Sequence, residues 1–117
     1  MPSAESVQAS FYKHLAPQAQ IGRLFDDTPA VLYFVKDREG RFISGNKANL
    51  EWLGMREESQ LVGTCDRDHF PPEIAEIFIE GDRQIISSRL PMINEPELIR
   101  GADSSQKWFV TTKRPLF

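Results

Sequence analysis

The chain has 117 residues, 40% of them hydrophobic and 26% charged, with a formal net charge of -3. This is the make-up of one globular domain able to bury a core without metal or disulfide staples. A near-neutral balance with no run of Lys or Arg argues against a nucleic-acid surface on this segment, and a single cysteine, Cys65, excludes an internal disulfide.

In chain order, Val7, Phe11 and Leu15 fall four apart between Ser3 and Leu15, with Tyr12 beside them. That spacing predicts a short amphipathic helix whose narrow apolar stripe needs a partner, and Pro17 ends it. Gln18 to Phe25 reads as a second short helical turn with Ile21, Leu24 and Phe25 facing inward. Val31 to Lys36 is rich in β-branched and aromatic residues and predicts a strand. Asp37-Arg38-Glu39-Gly40 supplies a carboxylate that can bond its own backbone and a glycine free to take positive φ, so a hairpin turn is expected. Arg41 to Gly45 alternates as the returning strand. Asn46 caps the helix carrying Ala48, Leu50, Trp52 and Leu53, and Gly54 stops it.

Glu57 to Val62 predicts a short helix or turn closed by Gly63, followed by a polar loop from Thr64 to Phe70. Pro71 and Pro72 suit a helix start, where a missing N–H matters least. From there Ile74, Ile77, Phe78, Gly81 and Ile85 keep a helical period to about Ser88. Gly81 inside that helix costs about 1 kcal/mol relative to alanine, which points either to a close contact or to room for a ligand. Met92 to Arg100 is a strand interrupted by Pro96, which cannot donate to a ladder, so the strand must lie at an edge or be bulged. Gly101 to Ser105 is a turn. Lys107 to Lys113, containing Trp108, Phe109, Val110, Thr111 and Thr112, is the last strand.

The ordered set of strand, Asp-x-x-Gly turn, strand, Asn, short helix ending in Leu53-Gly54, then Glu57 to Gly63, His69-Phe70-Pro71-Pro72, a long helix and Arg114-Pro115-Leu116-Phe117 resembles a PAS domain, a sensory module of bacterial signalling proteins. The resemblance spans 24–117 and leaves 1–23 as a flanking helix and linker. It implies an α+β fold, with an antiparallel sheet, helices packed on one face and the long helix lying across the sheet. It also implies a fifth, central strand following a motif like Arg114 to Phe117, and this chain has none. The strands at Val31 to Lys36 and Lys107 to Lys113 would then both present unpaired ladders, which recruit other strands. The expectation is a longer natural chain or a strand exchanged with a neighbour.

The densest polar cluster is Cys65-Asp66-Arg67-Asp68-His69. One cysteine with His14 and His69 matches neither paired zinc ligands nor a thiol–base arrangement, so neither a catalytic nor a metal site is expected; an aspartate caps the turn and His69 lies at the surface. Flavin-binding relatives carry a reactive cysteine near the position of Cys65, but Thr64, Asp66 and Arg67 stand where their flavin-holding residues would be. Haem-binding relatives use a histidine in the long helix, and Glu73 to Ser88 has none. No cofactor is therefore expected.

The resemblance instead implies a mostly apolar cavity between sheet and long helix that takes a small organic ligand. Phe34, Ile43, Trp52, Ile74, Phe78, Trp108 and Thr112 are its candidate lining, the tryptophans and Thr112 offering polar handles. Val7, Phe11, Tyr12 and Leu15 are the candidate contact of a homodimer, with packing on the chain's own sheet as the alternative. The flanking helix together with Val35-Lys36-Asp37, His69 to Glu73 and Lys113 to Leu116 resembles PAS domains that precede LuxR-type or AraC-type DNA-binding domains. That implies an N-terminal sensor of a transcription regulator, touching DNA only through a downstream helix-turn-helix domain. The alternatives are a ligand-free dimerisation module and the sensor of a histidine kinase or cyclic-dinucleotide enzyme. Nothing at the N-terminus reads as a signal peptide and no apolar run approaches the ~18 residues of a membrane span, so a cytoplasmic setting without membrane contact is expected.

Overall fold

The computed structural model describes residues 2–14 and 21–117. In chain order it contains α1 (Ala4–Lys13), a 3-10 turn (Ile21–Phe25), β1 (Phe34–Lys36), β2 (Phe42–Gly45), α2 (Lys47–Trp52), α3 (Glu58–Leu61), α4 (Asp66–His69), α5 (Pro72–Ser88), β3 (Met92–Arg100) and β4 (Gln106–Lys113). The fold is α+β, as expected. Its strands form two antiparallel hairpins, β1 with β2 and β3 with β4, and no ladder among the described residues joins β1 to β4.

The first hairpin is drawn tight by Asp37. Its carboxylate accepts from the backbone N–H of Glu39 and Arg41 at 3.0 and 2.9 Å, while Gly40 takes φ +81°. β1 is shorter than expected because Asn46 has claimed the segment before it. Asn46 Oδ1 accepts from Tyr33 N–H at 2.9 Å and Asn49 N–H at 3.1 Å, and its Nδ2 donates to Phe25 O and Val31 O at 2.9 and 2.7 Å. With 1% of its surface exposed, this amide is the predicted helix cap and also the tie between the 3-10 turn, the approach to β1 and α2.

The core lies beneath this knot. Phe42, Leu50 and Leu61 are buried together, with Phe34, Leu53 and Met55 packed against them. Glu58 secures α3 to β2 by accepting from Ser44 Oγ at 3.1 Å and Gly45 N–H at 3.2 Å. Farther on, α5 opens on Pro71 and Pro72 as expected and closes on Arg89 in the left-handed region at φ 62°. It buries Ala75 and Phe78, whereas Ile77, expected on the apolar stripe, is 68% exposed. Ile77 lies a full residue step, ~100°, from Phe78 around the helix.

Pro96 sits in β3, which pairs only with β4, so its missing N–H breaks no inner ladder. A bulge between Met92 and Glu95 places Asn94 at φ 52°. The 3-10 turn departs from expectation at Leu24, which is 75% exposed, while Phe25 stacks on Tyr33 at 5.1 Å. No residue of α1 is buried, so Val7, Phe11 and Tyr12 do not cover the chain's own sheet. Leu15, the last residue of the predicted stripe, falls outside the described residues.

Replacing Asn46 with alanine removes the partner of Tyr33 N–H, Phe25 O and Val31 O, each in a part-buried hydrogen bond. Each costs about 1–3 kcal/mol, so chemical denaturation of N46A is expected to show a loss of about 3 kcal/mol or more.

Candidate functional site

Between the helices and the two hairpins lies a cluster of charges drawn from five elements. Lys36 of β1 places Nζ 2.6 Å from Asp66 Oδ2 of α4 and 2.8 Å from Asp82 Oδ2 of α5. Lys113 of β4 places Nζ 3.2 Å from the other oxygen of Asp82 and 4.0 Å from Glu97 Oε2 of β3. The side chains of Lys36 and Asp66 are 10% and 4% exposed. Charges withdrawn this far from water are tolerable only when paired. One carboxylate, Asp82, thus bridges two ammonium groups that belong to different hairpins.

Phenyl rings close the cluster. Lys36 Nζ lies 5.4 Å from the centre of Phe34 and 5.0 Å from that of Phe42, and Lys113 Nζ lies 5.9 Å from Phe34 and 5.4 Å from Phe78. At these distances a desolvated ammonium gains about 2 kcal/mol from a ring face. The hydrogen-bond count leaves capacity to spare. An ammonium has three N–H donors; among the described residues Lys36 spends two, on Asp66 and Asp82, and Lys113 spends one on Asp82, since Glu97 stands beyond hydrogen-bond reach. The cluster thus sets ammonium donors beside flat apolar faces.

The predicted lining residues divide between two faces. Phe34 and buried Phe78 stand at the cluster, with Ile74 half-buried one turn before Phe78 on α5. Trp52 is on α2 at the far end of β4, edge-on to Phe109 at 5.5 Å. Ile43, Trp108 and Thr112 do not face the helices and are corrected here. Ile43 is 46% and Trp108 70% exposed, and Thr112 is an exposed partner of the bulge at Asn94. Strand alternation explains the reversal, because Phe42, Phe109 and Lys113 turn inward and their neighbours Ile43, Trp108 and Thr112 must turn outward. Sequence reasoning missed Lys36, Lys113, Asp66, Asp82 and Glu97. The available signal was a lone lysine closing each of two apolar strands.

Two concave regions lie apart from the cluster, neither lined by one of its residues. A cleft of about 510 Å³ runs between the second half of α5 and the start of β3, bordered by Gly81, Ile85, Ser88, Leu90, Met92 and Glu95. A Cβ built on Gly81 would meet nothing within 4 Å, so this glycine marks open space and no close contact. The second region, about 400 Å³, lies between α2 and β4, where Leu32, Ala48, Trp52 and Phe109 meet Glu51 and Lys107.

Comparison with known proteins gives a consistent result. A family model described as PAS fold matches residues 25–117. The solved structure of VqmA bound to DPO is similar over 80% of this chain and 46% of that one, with a TM-score of 0.67 and 23% identity. The Vibrio cholera VqmA–ligand–DNA complex is similar over 89% of this chain and 45% of that one, with a TM-score of 0.69 and 24% identity. A diguanylate cyclase of Vibrio cholerae is 26% identical over 86 residues, which is 74% of this chain and 26% of the cyclase. The chain thus spans less than half the length of the VqmA chains and about a quarter of the cyclase.

A short helix, α4, stands where a polar loop was expected, and it ends on a half-buried imidazole, His69, rather than the surface group expected. Thr64 Oγ1 donates to Leu61 O at 2.6 Å, so His69 Nε2, 2.7 Å from that oxygen, donates its own proton to it. Burial holds the His69 pKa below its ordinary 6.5, with Lys36 acting in the same direction against Asp68 and Asp66. The unfolded chain therefore takes up this proton before the folded one. Stability from neutral His69 is complete above pH 6.5 and declines as pH falls below that value. Denaturation midpoints between pH 7.5 and 5 are expected to fall more steeply for the wild type than for H69Q.

Proposed function

The chain belongs to the PAS fold family, and from that premise we infer that it is the ligand-sensing module of a transcription regulator, acting on DNA through a helix-turn-helix domain in a longer chain. The observation that carries the reading is the charge cluster, where Lys36 and Lys113, with N–H donors left over among the described residues, stand against Phe34, Phe42 and Phe78. A small planar molecule with a carbonyl, ring nitrogen or other acceptor fits that chemistry, its faces against the phenyl rings and its acceptor on Lys113. VqmA, which has been solved with DPO and in a ligand–DNA complex, has the same fold in this region and supports a sensor of this kind. DPO is accordingly the first probe.

Native mass spectrometry of the purified protein with DPO is expected to show a bound mass. A hydrogen bond to a charged donor contributes about 1.5–3 kcal/mol. Lys113→Met is therefore expected to weaken DPO binding by about 10- to 100-fold in calorimetry, with the fold retained by circular dichroism. Binding that is equally tight in K113M would place the ligand elsewhere.

A homodimer is the second element of the reading, favoured by two apolar surfaces left open on one chain. Val7, Phe11 and Tyr12 of α1 are 55%, 62% and 56% exposed, and Leu98, Trp108 and Val110 on the outer face of the second hairpin are 41%, 70% and 73% exposed. Each surface is complementary in character to the other, as a closed symmetric pair requires. Phe11→Glu is expected to convert the dimer to monomer in sedimentation experiments while leaving DPO affinity unchanged.

A further inference from the structure

The β3–β4 hairpin is anchored at two places about 13 Å apart along β4. At its turn end Ala102 N–H donates to Trp52 O at 2.9 Å, and Phe109 meets the indole edge-on. Gly101 lies there so close to the ring that a Cβ would stand 3.2 Å from Cε2. The indole N–H is buried without a hydrogen-bond partner among the described residues, so turning the hairpin on this ring breaks no bond from it. At the other end the anchor is Lys113 on Asp82, the carboxylate that also holds Lys36 of β1.

The two anchors differ in kind. The first is packing plus a backbone hydrogen bond and is indifferent to charge. The second is one carboxylate shared by two ammonium groups, and either can exchange it for another acceptor. No ladder joins β1 to β4 to hold the hairpins together if that exchange occurs.

We propose that Asp82 is a latch between the two hairpins, and that the β3–β4 hairpin pivots on Trp52 when an acceptor group of a bound molecule takes Lys113 from it. The exchange strands no charge. Lys36 keeps Asp66 at 2.6 Å, Lys113 gains the guest, and the Asp82 side chain, 21% exposed, turns toward water. The room lies in the right place: the 510 Å³ cleft is bordered by Gly81, which precedes Asp82, and by Met92, the register partner of Lys113. The identity of the trigger rests on the sensor reading above; the latch itself does not.

Spin labels test the latch without any ligand. With Cys65 replaced by serine, one pair at Ile43 and Arg114 reports the Asp82 end, and a second pair at Glu51 and Gln106 reports the Trp52 end; all four positions are exposed. Asp82→Asn keeps the shape and removes the charge. The first distance is expected to lengthen or broaden by several ångströms in D82N and the second to stay at its wild-type value. K113M is expected to give the same result, and it serves alone if D82N fails to fold. Wild-type distances in the variants, or equal changes at both ends, overturn the latch. Adding DPO to the wild type is expected to reproduce the D82N pattern. A bound DPO mass with both distances unmoved overturns the trigger and leaves the sensor reading intact. No bound mass counts against the sensor reading, while the variants still decide the latch.

Discussion

The amide of Asn46 is the constraint on which the rest of the structure depends. Its four hydrogen bonds use both lone pairs of the oxygen and both protons of the nitrogen, leaving nothing unsatisfied at 1% exposure. Because its partners lie on the 3-10 turn, the approach to β1 and the first turn of α2, it sets the direction in which the chain leaves the first hairpin. That direction aims α2 so that Leu50 enters the core beside Phe42 and Leu61, and it places Trp52 where the second hairpin later docks. An apolar residue in its place would leave part-buried backbone groups without their partner.

The charge cluster is the second consequence of the same architecture. Two hairpins without a shared ladder must be related through side chains, and here one carboxylate on α5 reaches a lysine from each. Buried ion pairs of this sort contribute little net stability, because desolvation offsets most of the attraction. They are demanding about geometry. A pair that is costly to strand and inexpensive to exchange is what the proposed latch requires, and the phenyl rings around it supply the low dielectric that makes each hydrogen bond matter.

Much of the fold was legible in local chemistry. The Asp37 to Gly40 turn, the Asn46 cap, the proline start of α5 and the edge position of Pro96 each rest on a constraint confined to a few neighbouring residues. The candidate site was legible only in part. Phe34 and Phe78 belong to it, whereas Ile43, Trp108 and Thr112 point away. Sequence periodicity marks two alternating sets along a strand and cannot say which faces inward when both contain apolar residues, as in Lys107 to Lys113. The charged members were missed because a lysine at a strand end is ordinarily a solvated one, and only its partners show otherwise.

The sequence by itself determined the order of the elements apart from α4, the α+β class and the family, because turns, caps, helix starts and residue periodicity act over a few positions and survive without knowledge of the whole. Only the tertiary structure decided the face each strand presents, the exposure of α1, and the meeting of Asp66, Asp82 and Glu97 with Lys36 and Lys113. The residues of that cluster span almost eighty positions, from Lys36 to Lys113. Charges so far apart along the chain leave no mark in local pattern, and what joins them is the packing that removes them together from water.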